Sequence, residues 1–206
     1  MRRSVLIAAL GFVGFISFAP TASAEFNPAV ETRYDASGNP TDGVEFFKLH
    51  QSNPAGISYT PIPRQTVDYH GPYGKGTIVI NTAERRLYLV QGDGTALKYG
   101  IGVGRPGFQW AGVHHVTDKA EWPGWTPPPE MRRRVPNLPA HMNGGPDNPL
   151  GARAMYIGST YYRIHGSNEP WTIGQAVSSG CFRMTNDDVT DLYERVHVGA
   201  KVIVVN

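Results

Sequence analysis

Residues 164–189 read IHGSNEPWTIGQAVSSGCFRMTNDDV and contain the only cysteine of the chain, Cys181. Ser178-Ser179-Gly180 precedes the thiol and Phe182-Arg183-Met184 follows it; His165-Gly166 lies sixteen positions upstream. A thiol is a strong nucleophile only as thiolate, and free cysteine titrates near about 8.5. It therefore needs a base or a cation beside it, and a histidine brought close by the fold supplies one. Gly180 leaves room for a substrate and allows a tight turn, so that successive amides can converge on a developing oxyanion. Taken singly, a lone cysteine can be a small buried hydrophobe and a lone histidine a structural one. Their joint pattern is more specific than either.

His165, Gly166, Gly174, Ser178, Gly180, Cys181, Arg183 and Asn186 together resemble the signature of L,D-transpeptidase catalytic domains of the YkuD type. One position departs: most relatives carry histidine two residues before the cysteine, where this chain has Ser179. The resemblance runs over roughly residues 76–205. It implies a mainly β domain of two packed sheets, β-sandwich-like, with one or two short helices. It also implies that Cys181 attacks the carbonyl of the third residue of a peptidoglycan tetrapeptide stem and that D-Ala leaves. His165 would be the general base, its ring oriented by the carbonyl of Gly166. Amides at Ser179, Gly180 and Cys181 would hold the oxyanion, and Arg183 would engage a substrate carboxylate or brace the loop. An amine acceptor would resolve the thioester, giving 3→3 cross-links or attachment of an envelope protein to the wall. Hydrolysis of the same stems (L,D-carboxypeptidase activity) and a non-catalytic peptidoglycan-binding module stand as alternatives. No metal and no organic cofactor is implied.

Outward from this motif, the C-terminal side reads simply. Asn186-Asp187-Asp188 offers an N-cap and acids suited to a helix N-terminus, and Thr185 with Asp188 suits a cap one residue earlier. Val189, Leu192, Tyr193 and Val196 form an apolar helical stripe, Gly199 stops it, and Lys201–Val205 is a closing strand. Upstream, Thr77–Ile80, Leu87–Val90 and Ala96–Val103 are runs separated by Asn81–Glu84 and Gly92–Gly94, the pattern of an antiparallel meander. Tyr161–Ile164 reads as the strand that delivers His165, and 145–156 resembles the family's segment that leads into a strand under the active site.

Several features invite other readings. Gly102-Val103-Gly104-Arg105-Pro106-Gly107 spells a dinucleotide-loop pattern, but no helical periodicity follows it, so a strand-ending turn is expected. Residues 121–129, with Trp122, Trp125 and a Pro127-Pro128-Pro129 run, are too proline-rich for a regular element and could wall a groove. Arg132-Arg133-Arg134 reads as a solvated loop face. His114, His115 and His141 match no zinc spacing with each other or with His165.

Residues 1–24 combine a basic start (Arg2-Arg3), an apolar run and Ala22-Ser23-Ala24, the pattern of a secretory signal peptide. Export to the periplasm is expected, with a mature start at Glu25. Cleavage there would remove two arginines and no acids, so 19 basic against 17 acidic residues become 17 against 17. No basic cluster then argues for nucleic acid. A single thiol in an oxidising compartment cannot be an intramolecular disulfide, which favours a chemical use. The domain organisation read here is 1–24 signal peptide, 25–73 extended and largely irregular lead-in, and 74–206 catalytic domain.

Overall fold

The computed structural model describes residues 62–206; the expected signal peptide and most of the lead-in lie outside the described residues. Eleven strands are present among them: β1 (Gln65–Asp68), β2 (Ile78–Asn81), β3 (Arg86–Val90), β4 (Thr95–Gly100), β5 (Val103–Gly104), β6 (Gly112–Glu121), β7 (Arg153–Ile157), β8 (Arg163–His165), β9 (Ala176–Ser178), β10 (Phe182–Arg183) and β11 (Lys201–Val205). Two α-helices accompany them, α1 (Pro129–Arg134) and α2 (Asn186–Arg195), with a 3₁₀ turn at Pro170–Thr172.

The expected meander is there. β2, β3 and β4 pair antiparallel, Ile78 opposite Leu89 and Leu87 opposite Tyr99. Alternate residues point inward, so Ile78, Ile80 and Leu87 are fully buried. The complete strand order is β1-β4-β3-β2-β11-β6-β7-β8-β10, with β5 and β9 as a separate parallel pair. β6 makes two leaves of this sheet: residues 112–115 pair with β11, and residues 116–121 with β7, with a register shift between Val116 and Asp118. An irregularity of that kind bends a strand and turns the sheet. Ile80 and Leu89 of one leaf and Met155, Ile164 and Phe182 of the other share one core. The two packed layers read from the sequence are thus two leaves joined through β6.

α2 closes that core. Val189 and Leu192 are fully buried, and Val196 nearly so. Each such side chain contributes about 1.5–3 kcal/mol of burial. The cap is Thr185: its hydroxyl accepts the amide of Asp188 at 3.1 Å, which places Asn186 inside the first turn and frees its side chain for another use. The helix ends at Arg195, ahead of Gly199, which sits at φ +92° in the turn before β11.

Two stretches are more regular than their composition predicts. β1, inside the lead-in, joins the sheet edge by pairing Gln65–Asp68 with β4. Arg132–Arg134 lies in α1, not on a solvated loop; the Arg134 guanidinium sits over the Phe108 ring, 5.2 Å from its centroid. Pro129 opens this helix, where its missing amide proton costs nothing. Around α1, Trp125, Val135, Leu138 and Leu150 make a second, smaller core.

Candidate active site

β8 and β10 run side by side in parallel, with Arg183 in register with His165 and Phe182 with Ile164. That pairing brings the histidine beside the cysteine turn, because Cys181 immediately precedes β10. His165, Cys181, Ser179 and Arg183 all line one cavity of ≈ 460 Å³. Its opposite wall comes from the excursion between β6 and β7, through Trp125, Met131, Arg134 and Leu150. Trp125 therefore contributes to a groove wall, whereas Trp122 is exposed and outside it.

The His165 ring is fixed by its neighbour. Nδ1 lies 2.6 Å from the Gly166 carbonyl oxygen. A carbonyl only accepts, so Nδ1 carries the proton and Nε2 keeps its lone pair. Burial, and after it the charge of Arg183, pushes the imidazole down to about 3 from 6.5. The ring is neutral at any ordinary pH, as a proton acceptor must be.

Gly166 is also a close-approach site. A Cβ there would stand 2.3 Å from Asn186 Oδ1. That oxygen accepts the amides of Ala152 at 2.9 Å and Ser167 at 3.2 Å, stapling the start of α2 to the segments before β7 and after β8.

The cysteine turn is held from inside. The Ser178 hydroxyl donates to the Cys181 carbonyl at 2.6 Å and accepts the Gly180 amide at 3.1 Å. Gly180 takes φ +108°, and a Cβ there would lie 2.3 Å from the Tyr162 ring. Trp110 Nε1 donates to the Gly180 carbonyl at 2.8 Å, and its ring stacks on Tyr162 at 4.7 Å. The thiol of Cys181 points toward the Tyr161 carbonyl at 3.8 Å. The Gly180 amide, one of the expected oxyanion donors, donates to the Ser178 hydroxyl in this structure. The amides of Ser179 and Cys181 take no part in the turn's own hydrogen bonds.

Arg183 lines the cavity and also takes up the bracing one of its two expected roles. Its Nη1 lies 2.7 Å from Glu169 Oε2, and the two side chains are only 11% and 4% exposed. This is a buried ion pair that braces the loop. Burial pushes the Glu169 carboxyl up to about 7, against the pull of Arg183.

Glu169, Trp110 and Tyr162 carry no motif signal and were legible only as loop or strand residues. Of the other histidines, His114 shares the cavity and His141 does not line it. His114 edges onto Trp110 on the cavity wall, and His141 Nδ1 lies 2.9 Å from Thr126 Oγ1. Among the described residues, no group of three or more His, Cys, Asp or Glu side chains could hold a metal ion.

Comparison with known proteins gives a consistent family. The model of the L,D-transpeptidase catalytic domain (YkuD) matches residues 75–204. The "Probable L,D-transpeptidase ErfK/SrfK" of Escherichia coli K12 is 41% identical over 180 residues, covering 80% of this chain and 56% of its own length. The "Probable L,D-transpeptidase YbiS" of the same strain is 34% identical over 232 residues, covering 97% and 74%. The chain thus spans little more than half of the first relative. Among solved structures, the catalytic domain of an E. faecium L,D-transpeptidase acylated by ertapenem superposes with a TM-score of 0.50 at 21% identity. That match covers 66% of this chain and all of the other, and shows a shared fold.

Proposed function

The chain belongs to the L,D-transpeptidase catalytic domain family of the YkuD type, and from that premise we propose that it is a cysteine-dependent L,D-transpeptidase acting on peptidoglycan tetrapeptide stems. The observation that carries this reading is the shared cavity: Cys181 and His165 line it together, and the histidine presents an unprotonated Nε2.

The steps follow from those atoms. Cys181 sulfur attacks the carbonyl carbon of the third stem residue while His165 Nε2 takes the thiol proton. The carbonyl oxygen becomes an oxyanion, which the amides of Ser179 and Cys181 would hold. The C–N bond to D-Ala then breaks, and His165 returns its proton to the leaving amine. An amine acceptor attacks the thioester, releasing the thiol; the acceptor is a second stem or an envelope protein. Gly180 contributes its shape, not its amide. Arg183 acts as a brace, and Gly166 orients the imidazole.

We assign the enzyme to the cell envelope, exported and released from its leader at Glu25, on the strength of the sequence pattern at Ala22-Ser23-Ala24. N-terminal sequencing of exported protein should read from Glu25; a retained Met1 would refute this.

The deciding experiment is incubation with purified tetrapeptide-containing muropeptides, read by mass spectrometry. Cross-linked dimers with loss of D-Ala are expected. Release of D-Ala alone would make the protein a hydrolase, and unchanged substrate would leave only a binding module.

A further inference from the structure

β8 presents a second polar side chain to the cavity besides His165. Alternation along the strand buries Ile164 completely in the core and turns Arg163 and His165 to the other side, where both line the cavity. The Arg163 guanidinium has a fixed seat there. Its Nη1 donates to the Tyr161 carbonyl at 3.0 Å, and its Cζ lies 5.0 Å from the centroid of the Tyr156 ring. The Cys181 thiol points at that same Tyr161 oxygen, at 3.8 Å. One carbonyl is thus flanked by the nucleophile and by a cation.

A guanidinium carries five N–H donors and accepts nothing. The protein engages Arg163 through Nη1, while Nε is buried without a hydrogen-bond partner, and no carboxylate pairs with this side chain among the described residues. Arg183, the register partner of His165, is met by Glu169, and Arg134 belongs to the opposite wall. The leaving residue supplies the anion that Arg163 lacks. His165 returns its proton to the leaving amine, so the nitrogen of the departing D-Ala stands at the imidazole. The carboxylate of a C-terminal D-Ala is only two bonds from that nitrogen and falls in the immediate surroundings of the ring. Arg163 is two positions along the same strand face, and its charge acts on the imidazole after burial, the charge of Arg183 and the Gly166 bond. A planar guanidinium fork matches a carboxylate in both charge and shape.

We infer that Arg163 is a specificity-determining residue of the acyl-donor site, the group that holds the free C-terminal carboxylate of the residue being expelled. The inference rests on the transpeptidase reading and adds a requirement to it: the bond that breaks is the last peptide bond of the donor, and a carboxylate follows it. The chemistry at sulfur is unchanged. The C–S bond forms, the C–N bond breaks, the thiol proton passes through His165 to the amine, and the amino acid leaves with its carboxylate intact.

The test compares two synthetic donors, a tetrapeptide stem ending in D-Ala and the same stem ending in D-alaninamide. Wild type, Arg163→Gln and Arg163→Met are assayed with each, and kcat/KM for release of D-Ala or D-alaninamide is read by mass spectrometry. Circular dichroism and thermal melts establish that the variants are folded. Wild type should prefer the free acid by at least about tenfold, the worth of one hydrogen bond to a charged group. Arg163→Gln keeps a donor for the Tyr161 carbonyl but carries no charge, and should lose most of that preference. A side chain needed only for the shape of the strand would slow both donors alike and leave their ratio intact.

An unaltered acid preference in folded Arg163→Gln overturns the inference, and so does a wild type that uses acid and amide equally well. If Arg163→Gln does not fold, Arg163→Met is read by the same ratio. A wild type that releases neither D-Ala nor D-alaninamide refutes the transpeptidase reading itself and the inference with it, a result distinct from equal use of the two donors.

Discussion

His165 Nδ1 and the Gly166 carbonyl oxygen are 2.6 Å apart, a bond between neighbours that decides which ring nitrogen can accept a proton. The carbonyl occupies Nδ1, so only Nε2 remains for the thiol. A base defined in this way gives the site a directional test.

His165→Ala should slow acylation by about 10²–10⁴-fold, the usual span for general acid–base catalysis. Ser179→Ala should cost far less, since truncation keeps the backbone amide. Carbapenem acylation rates of the two folded variants make the comparison. Equal inactivity would refute the single-base assignment.

Cys181→Ser should fold and take no carbapenem adduct, because Cys181 is the only thiol. Intact-mass spectrometry reads the outcome directly. An adduct on the mutant would place the nucleophile elsewhere.

Gly180→Ala should abolish acylation while leaving most of the fold standing. At φ +108° an L side chain is strained, and its Cβ would lie 2.3 Å from the Tyr162 ring. The expected signature is a changed aromatic environment around Trp110 and Tyr162 in near-ultraviolet circular dichroism, with far-ultraviolet signal preserved. Normal activity in this variant would show that the turn is not needed in this conformation.

Asn186→Ala should lower stability by about 1–3 kcal/mol, the cost of leaving buried donors without an acceptor. Its Oδ1 serves the amides of Ala152 and Ser167 together. Urea denaturation measures the change. A loss below a few tenths of a kcal/mol would mean that water takes over both bonds.

The neutral state of His165 links stability to pH. Its folded value of about 3 lies below the ordinary 6.5, so the folded protein binds fewer protons there than the unfolded chain. The associated stability is fully present above 6.5 and is lost as pH falls toward 3. Glu169, raised to about 7, works in the opposite direction, gaining stability as pH falls through that value. Comparing wild type with His165→Gln isolates the histidine, because both proteins keep Glu169. Denaturation between pH 7 and pH 4 should show wild type losing more stability than the glutamine variant.

How much of this could be read before the fold was known depends on how local each signal is. The cysteine, the histidine and the glycines around them announce themselves because the chemistry constrains residue type within a short stretch. The apolar stripe of α2 and the inward residues of β2 and β3 are equally local, since helix and strand periods are written along the chain. Thr185 against Asn186 as the cap was an open choice in sequence, because both residue types can accept an amide; the structure settled it through Asn186's longer-range bonds to Ala152 and Ser167.

Relations between distant segments emerge only once the chain is packed. Arg183 could face substrate or protein until the parallel register of β8 and β10 set it against Glu169, fourteen residues away on an unremarkable loop. The Gly180 amide looked available until the Ser178 hydroxyl was seen to claim it. Likewise the β6–β7 excursion reads as proline-rich filler, yet it folds back as the far wall of the cavity. In each case a polar or apolar group has several partners of suitable chemistry, and no spacing rule ranks them. Burial does, because a group taken from water must satisfy itself with whatever the packing brings within reach.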